Sequence, residues 1–209
     1  MNLRLGSGVY IADSQKPGRM SPSSASNAAS SALSTYTPFA VLMHWLMALA
    51  ITGSFIVGSY MVDLPFSPSR LKLYNYHKWA GITILALAAL RLLWRLTHRP
   101  PADLPMPAWQ KTSAHAAHGA LYALFFAIPL VGWAYSSAAG FPVVLYGVLP
   151  LPDFVSPDKE LAKLIKPWHA YLVWAMTGVV ALHVAGALKH QFINRDGLLS
   201  RMWLAKKSP

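Results

Sequence analysis

The chain has no cysteine among its 209 residues. That excludes disulfides, thiolate metal sites, iron–sulfur clusters and the covalent C-x-x-C-H attachment of a haem. Charge is scarce too: only 12% of residues are charged, against about a quarter in an average soluble domain. Just 7 are acidic, and none of them lies within a long apolar run. Intramembrane proton relays usually recruit a buried carboxylate, and zinc or copper sites want carboxylate or thiolate beside imidazole. Both chemistries therefore lack their ordinary partners. The segment 1–36 has no apolar stretch long enough for a cleaved signal peptide. It reads SPSSASNAASSALSTYT near its end, and this Ser/Ala-rich composition predicts a disordered polar leader. Met20 offers an alternative start within it. No internal repeat stands out.

What is present is apolar surface, 55% of all residues. It is gathered in four runs, about 38–61, 75–97, 112–137 and 167–190, each near the roughly 20 residues that cross about 30 Å of hydrocarbon. Backbone groups in lipid must be paired within their own element, so these runs are expected to be helices. The expected fold is all-α: a membrane-embedded four-helix bundle over 37–205, behind the leader 1–36. With four spans, both termini share a side with the connection between spans two and three. That side collects 12 of the 18 Lys and Arg residues and the other side 6, so both termini are expected on the cytoplasmic side. The net charge of +11 then reflects topology and attraction to anionic lipid. Nucleic-acid binding is disfavoured, because the cations flank spans instead of forming one patch. Connections 98–111 and 138–166 are Pro-rich and expected to be ordered only in part, with GFPVVLYGVLPLPDF lying at the membrane surface.

Eight histidines remain to be explained: His44, His77, His98, His115, His118, His169, His183 and His190. All but His98 fall in or at the edge of an apolar run, where an ionisable side chain points to function. For any one of them, an interfacial residue is the simpler reading. Depth matching changes that. His169 and His183 are fourteen residues apart on one span, roughly 21 Å along an α-helix and within about 40° of the same face. His190 follows seven residues later, again near that face, at the cytoplasmic edge. His77 opens the second span level with His169, and His44 sits in the first span level with His183. The result is two histidine pairs, one in each leaflet. Facing imidazoles suit a haem iron, a transition metal or a proton relay. Haem needs only two rings, an apolar slot and cations for its propionates, and bis-imidazole ligation suits electron transfer. Gly53, Gly58, Gly81, Gly119, Gly132, Gly178 and Gly186 permit close approach between helices. Arg91 and Arg95 are the inner cations, with Arg70, Lys72, Lys78 and Lys166 outside. His115 and His118 lie near the depth of His44 and His183, open to replacing a ligand, lining a propionate or contacting a quinone. The tryptophans at span ends fit an interfacial aromatic belt.

Taken in order, MHWLMAL at 43–49, HKWAGI at 77–82, LRLLWRL at 90–96, AHAAHGALYALFFAIPLVGW at 114–133 and WHAYLVWAMTGVVALHVAGALKH at 168–190 resemble the bacterial cytochrome b-561 family. The resemblance covers about 38–205. It implies a four-helix inner-membrane protein with two non-covalent b haems, some members being superoxide:ubiquinone oxidoreductases. It implies His44 and His183 as iron ligands of the cytoplasmic-side haem, and His77 and His169 as ligands of the outer one. It puts His190 beside a quinone site, and His118 or Arg91 is expected nearby. Family members often carry two adjacent histidines at that point, whereas here the second is Gln191. The expected partners are membrane lipid, quinone and a periplasmic electron donor such as superoxide. The competing readings are a cytochrome b anchor subunit of a hydrogenase or dehydrogenase complex, and a non-haem protein that handles metal or protons.

Overall fold

The computed structural model describes residues 35–203. The expected leader, apart from its last two residues, and Met20 lie outside the described residues, as do residues 204–209. Four helices follow one another: α1 (Pro38–Val62), α2 (Pro68–Thr97), α3 (Ala108–Ala138) and α4 (Lys159–Lys189). All four are long and apolar enough to cross a membrane.

Local chemistry sets where these helices begin. Thr37 Oγ1 accepts the Ala40 amide at 3.3 Å, just ahead of Pro38. Ser67 Oγ accepts the Arg70 amide at 3.2 Å, just ahead of Pro68. The Asp158 carboxylate accepts the amides of Glu160 and Leu161 at 2.9 and 3.1 Å. Such caps satisfy orphan N–H groups, and proline is tolerated in the first turn because it brings no N–H to satisfy. Two of these caps lie upstream of the apolar runs, so α2 starts at Pro68 and α4 at Lys159, earlier than hydropathy predicts. Hydropathy marks the part of a helix that suits lipid. The polar turns SRLKLYNY and KELAKLIK continue the same helices beyond it.

α1 packs chiefly on α2, α3 on α4, and α2 on α3. Val41, Met43, Met47, Ile84, Ala88, Leu121 and Met176 are buried among them, while Leu49, Ile56, Leu96, Leu182 and many other large apolar side chains face outward. That outward surface suits hydrocarbon and not water. The connection 138–166 is better ordered than expected. It holds an antiparallel hairpin, β1 (Val144–Leu145) with β2 (Leu149–Pro150), a small departure from an all-α fold. Its turn runs through Tyr146 and Gly147 at φ 52° and 75°, a left-handed pair that glycine eases. α2 holds the hairpin in place: Trp79 Nε1 donates to Val144 O at 2.6 Å, and Lys78 Nζ donates to Pro142 O at 3.2 Å.

Past α4 the chain makes a π-helical turn (His190–Asn194) and a 3₁₀ turn (Leu199–Met202). This tail returns to the start of α1. The Tyr36 amide donates to Arg201 O at 3.3 Å, and Trp45 Nε1 to Met202 O at 2.9 Å. The buried Arg201 side chain donates to Ala102 O at 2.9 Å. The described chain thus begins and ends at one end of the bundle, together with the α2–α3 connection.

Candidate functional site

α4 carries His169 nearly three turns past its first residue and His183 less than two turns before its last. At the end of the bundle where α2 begins, His77 faces His169 with ring centroids 6.1 Å apart and the rings nearly perpendicular, at 85°. At the opposite end, where α1 begins, His44 faces His183 at 6.2 Å and 56°. Two imidazole nitrogens each ~2.0 Å from one metal ion put the ring centroids about 6.3 Å apart. Both pairs therefore have the spacing of two rings that share an ion. Among the described residues, no group of three or more His, Cys, Asp or Glu side chains is placed to hold a metal ion. An ion between either pair would need to bring further ligands with it, which a haem iron does.

The His77–His169 pair is set by backbone. His77 Nδ1 lies 3.1 Å from Ser54 O and 3.2 Å from Ser54 Oγ. His169 Nδ1 lies 3.2 Å from Ile128 O. A carbonyl only accepts, so both Nδ1 atoms carry the proton and both Nε2 atoms keep the lone pair. Four residues beyond each of these carbonyls is a glycine, Gly58 or Gly132. A Cβ added there would come within 2.9 Å of His77 Cε1 or 3.0 Å of His169 Cε1. Each ring thus lies over one turn of a neighbouring helix, in the space of an absent Cβ. The other glycines noted as close-approach sites in the spans, Gly53, Gly81, Gly119, Gly178 and Gly186, would meet nothing within 4 Å.

The His44–His183 pair is set by side chains. Arg91 Nη2 donates to His44 Nδ1 at 3.3 Å and Arg91 Nε to the Tyr122 hydroxyl at 3.3 Å. His118 stands edge-on to His183 with ring centroids 5.3 Å apart. This end therefore holds three imidazoles and a guanidinium. A cavity of about 240 Å³ lies here, lined by Met43, Arg91, Trp94, Arg95, Arg99 and Tyr122 among others.

The remaining histidines separate. His115 points to Asp103 at 3.2 Å, beside Lys111 at 2.9 Å, with its side chain 58% exposed. The Lys111 hydrogen bond is the main reason the Asp103 carboxyl sits below the usual carboxylate range. His98 stacks on Trp94 with centroids 3.6 Å apart. His190 is sheltered at the end of α4, its Nδ1 2.5 Å from Asp196 Oδ2. Burial pushes the Asp196 carboxyl up. Hydrogen bonds from His190, the Leu198 amide and Asn194 outweigh this and hold it below the usual range. A cavity of about 390 Å³ lined by Gln191, Phe192, Arg195, Gly197 and Ser200 opens on this turn. Sequence reasoning missed Asp196, Tyr122, Ser54 and Ile128, and gave Gly58 and Gly132 no rank above the other glycines.

A family model described as prokaryotic cytochrome b561 matches residues 35–205. The chain is 34% identical over 175 residues to cytochrome b561 homolog 2 of Escherichia coli K12, covering 83% of this chain and 93% of that protein. It is 32% identical over 171 residues to cytochrome b561 homolog 1 of the same organism, covering 80% and 96%. It is 28% identical over 176 residues to the probable superoxide oxidase CybB of Yersinia pestis, covering 82% and 97%.

Proposed function

Because the chain belongs to the prokaryotic cytochrome b561 family, and is therefore a multi-pass electron-transfer cytochrome of the bacterial inner membrane, we propose that it carries single electrons from a periplasmic donor, superoxide, to ubiquinone. The observation behind this reading is the two facing histidine pairs at opposite ends of α4, 6.1 and 6.2 Å apart. We assign His77 and His169 to one b haem and His44 and His183 to a second, all within a single unit spanning 37–205. Bound by these residues, haem would supply one-electron ferric–ferrous chemistry.

The rest is the work of the chain. Charge asymmetry supports termini in the cytoplasm, which makes the His77–His169 end periplasmic. Arg70, Lys72, Lys78 and Lys166 give that end a positive field that attracts an anionic donor. Ser54 O and Ile128 O hold the protons of His77 and His169 on Nδ1, so the lone pairs face no competing proton. At the other end, Arg91 donates to His44 Nδ1, which leaves the His44 proton on Nε2. An ion on Nε2 needs that proton on Nδ1, so the Arg91 contact and an occupied Nε2 exclude each other. With a haem held on this pair, Arg91 and Arg95 would be the cations available to its carboxylates. His190 lies beyond this pair on α4, at the water-facing end, and we assign it with His118 to the quinone site. The balance is two superoxide ions oxidised to two O₂, and one quinone taking two electrons and two protons to become quinol. Similarity to the probable superoxide oxidase of Y. pestis supports the donor.

The test is optical. Superoxide generated enzymatically should reduce the b bands of the purified protein, and a short-chain ubiquinone should reoxidise them. Bands that dithionite reduces but superoxide does not would overturn the donor assignment.

A further inference from the structure

The turn after α4 contains a carboxylate–imidazole contact that the electron path does not use. In a straight helix the six steps from His190 to Asp196 would carry the second side chain about 240° round the axis, away from the first. The chain does not continue straight. It widens into the π turn His190–Asn194, and Arg195 takes a left-handed φ of 53°. A non-glycine residue in that region is strained, and such strain persists only where the surroundings impose it. The result is that Asp196 folds back over the helix end, with Oδ2 2.5 Å from His190 Nδ1 and Oδ1 accepting the Leu198 amide at 3.1 Å. Asn194 Nδ2 lies 3.2 Å from the same Nδ1 and also hydrogen-bonds the carboxylate. The pair is sheltered, with side-chain exposures of 11% for His190 and 26% for Asp196. The His115–Asp103 contact, at 58% and 40%, is an ordinary surface pair.

We propose that Asp196 is a positioning residue for quinone reduction, which fixes the His190 ring so that Nε2 delivers a proton to the quinone oxygen. This rests on the assignment of His190 to the quinone site. A carboxylate on Nδ1–H fixes the tautomer and leaves Nε2 as the nitrogen placed to pass a proton. One of the two protons of the quinol passes through Nε2, and His190 recovers it from water at this end of the bundle. The electrons come along the path already described, so the step needs no further reductant. Asp196 itself neither touches the quinone nor changes protonation.

The experiment measures quinone reduction in the haem-loaded, full-length protein for Asp196→Asn, Asp196→Glu, His190→Gln and the exposed-pair control Asp103→Asn. Asp196→Asn should lower kcat for ubiquinone about 10- to 100-fold, the range seen when an outer partner of a working imidazole is lost. Superoxide-driven reduction of the b bands without quinone should be unchanged, Asp196→Glu should recover most of the rate, and Asp103→Asn should match the starting protein. If His190→Gln leaves quinone reduction intact, the His190 assignment fails and takes this inference with it. If His190→Gln slows the reaction and Asp196→Asn does not, only the role of Asp196 fails. A second readout needs no variant. The ¹⁵N spectrum of histidine-labelled, dithionite-reduced protein should show His190 with its proton on Nδ1. A proton on Nε2 with a bare Nδ1 overturns the inference even if Asp196→Asn does not fold.

Discussion

The two histidine pairs have almost the same separation, 6.1 and 6.2 Å, yet they are held by different means. At the His77–His169 end the partners are main-chain carbonyls, and glycine provides the room. At the His44–His183 end they are side chains: a guanidinium, a phenol and a third imidazole. A carbonyl on a helix is neutral and cannot leave. A guanidinium brings a full charge and can swing. The first end is thus a fixed, neutral cradle that pushes electron density onto its rings. The second is a positive, adjustable one that favours the reduced state of whatever the rings hold. If each pair holds a haem, that of the His44–His183 pair should have the higher potential, and electrons should run from the His77–His169 end to the His44–His183 end.

The largest expected effect separates the ends outright. His169→Ala should lose one b haem and leave the other, and His183→Ala should do the converse, as counted by pyridine haemochrome. Two haems surviving in His183→Ala would mean that His118, 5.3 Å from His183, takes over as ligand, and the pairing would break.

A smaller effect tests the glycine cradle. Gly58→Ala puts a Cβ 2.9 Å from His77 Cε1, an overpacking expected to cost about 1–3 kcal/mol. It should lower the thermal retention of the His77–His169 haem alone. Gly53→Ala, with nothing within 4 Å, should leave retention unchanged or slightly improved through helix propensity. Equal behaviour of the two variants would show that the cradle is incidental.

Next comes the charge. Arg91→Gln should lower the potential of one haem by on the order of 50–100 mV and leave the other in place, as read by redox titration of the b bands. Equal shifts in both haems would erase the contrast between the ends.

The smallest effect lies outside both pairs. Asp103→Asn removes an exposed contact to Lys111 and His115 and should change stability by no more than about 1 kcal/mol, with both haems unaltered. The Asp103 carboxyl is depressed in the fold. Its small contribution is therefore present at neutral pH and lost as pH falls through the acid range, which a denaturation series against pH should resolve.

How much of this could be read beforehand follows from which physical rules are local. The four spans follow from apolar run length, and the facing pairs from rise per residue and direction of travel. His44 and His183 lie far apart in sequence but at equal depth. The helix starts at Pro68 and Lys159 were hidden because capping side chains, not hydropathy, set them. Gly58 and Gly132 could have been found by asking which glycines sit one turn beyond a residue level with a histidine. Without coordinates they look the same as Gly53 or Gly178. Asp196 was out of reach, since only the π turn and the left-handed Arg195 bring it back onto His190. His115 and His118, three residues apart, divide between a surface carboxylate and the His44–His183 cluster, a choice made by the neighbouring helices and the Asp103 loop and not by α3 alone.

The central claim is that each ring pair encloses one haem. The most direct measurement is the haem-to-chain ratio of the purified protein by pyridine haemochrome, paired with a dithionite-reduced minus oxidised spectrum. The account predicts two b haems per chain, both reducible and non-covalently held. A single haem per chain, or none in protein made with ample haem supply, would contradict it.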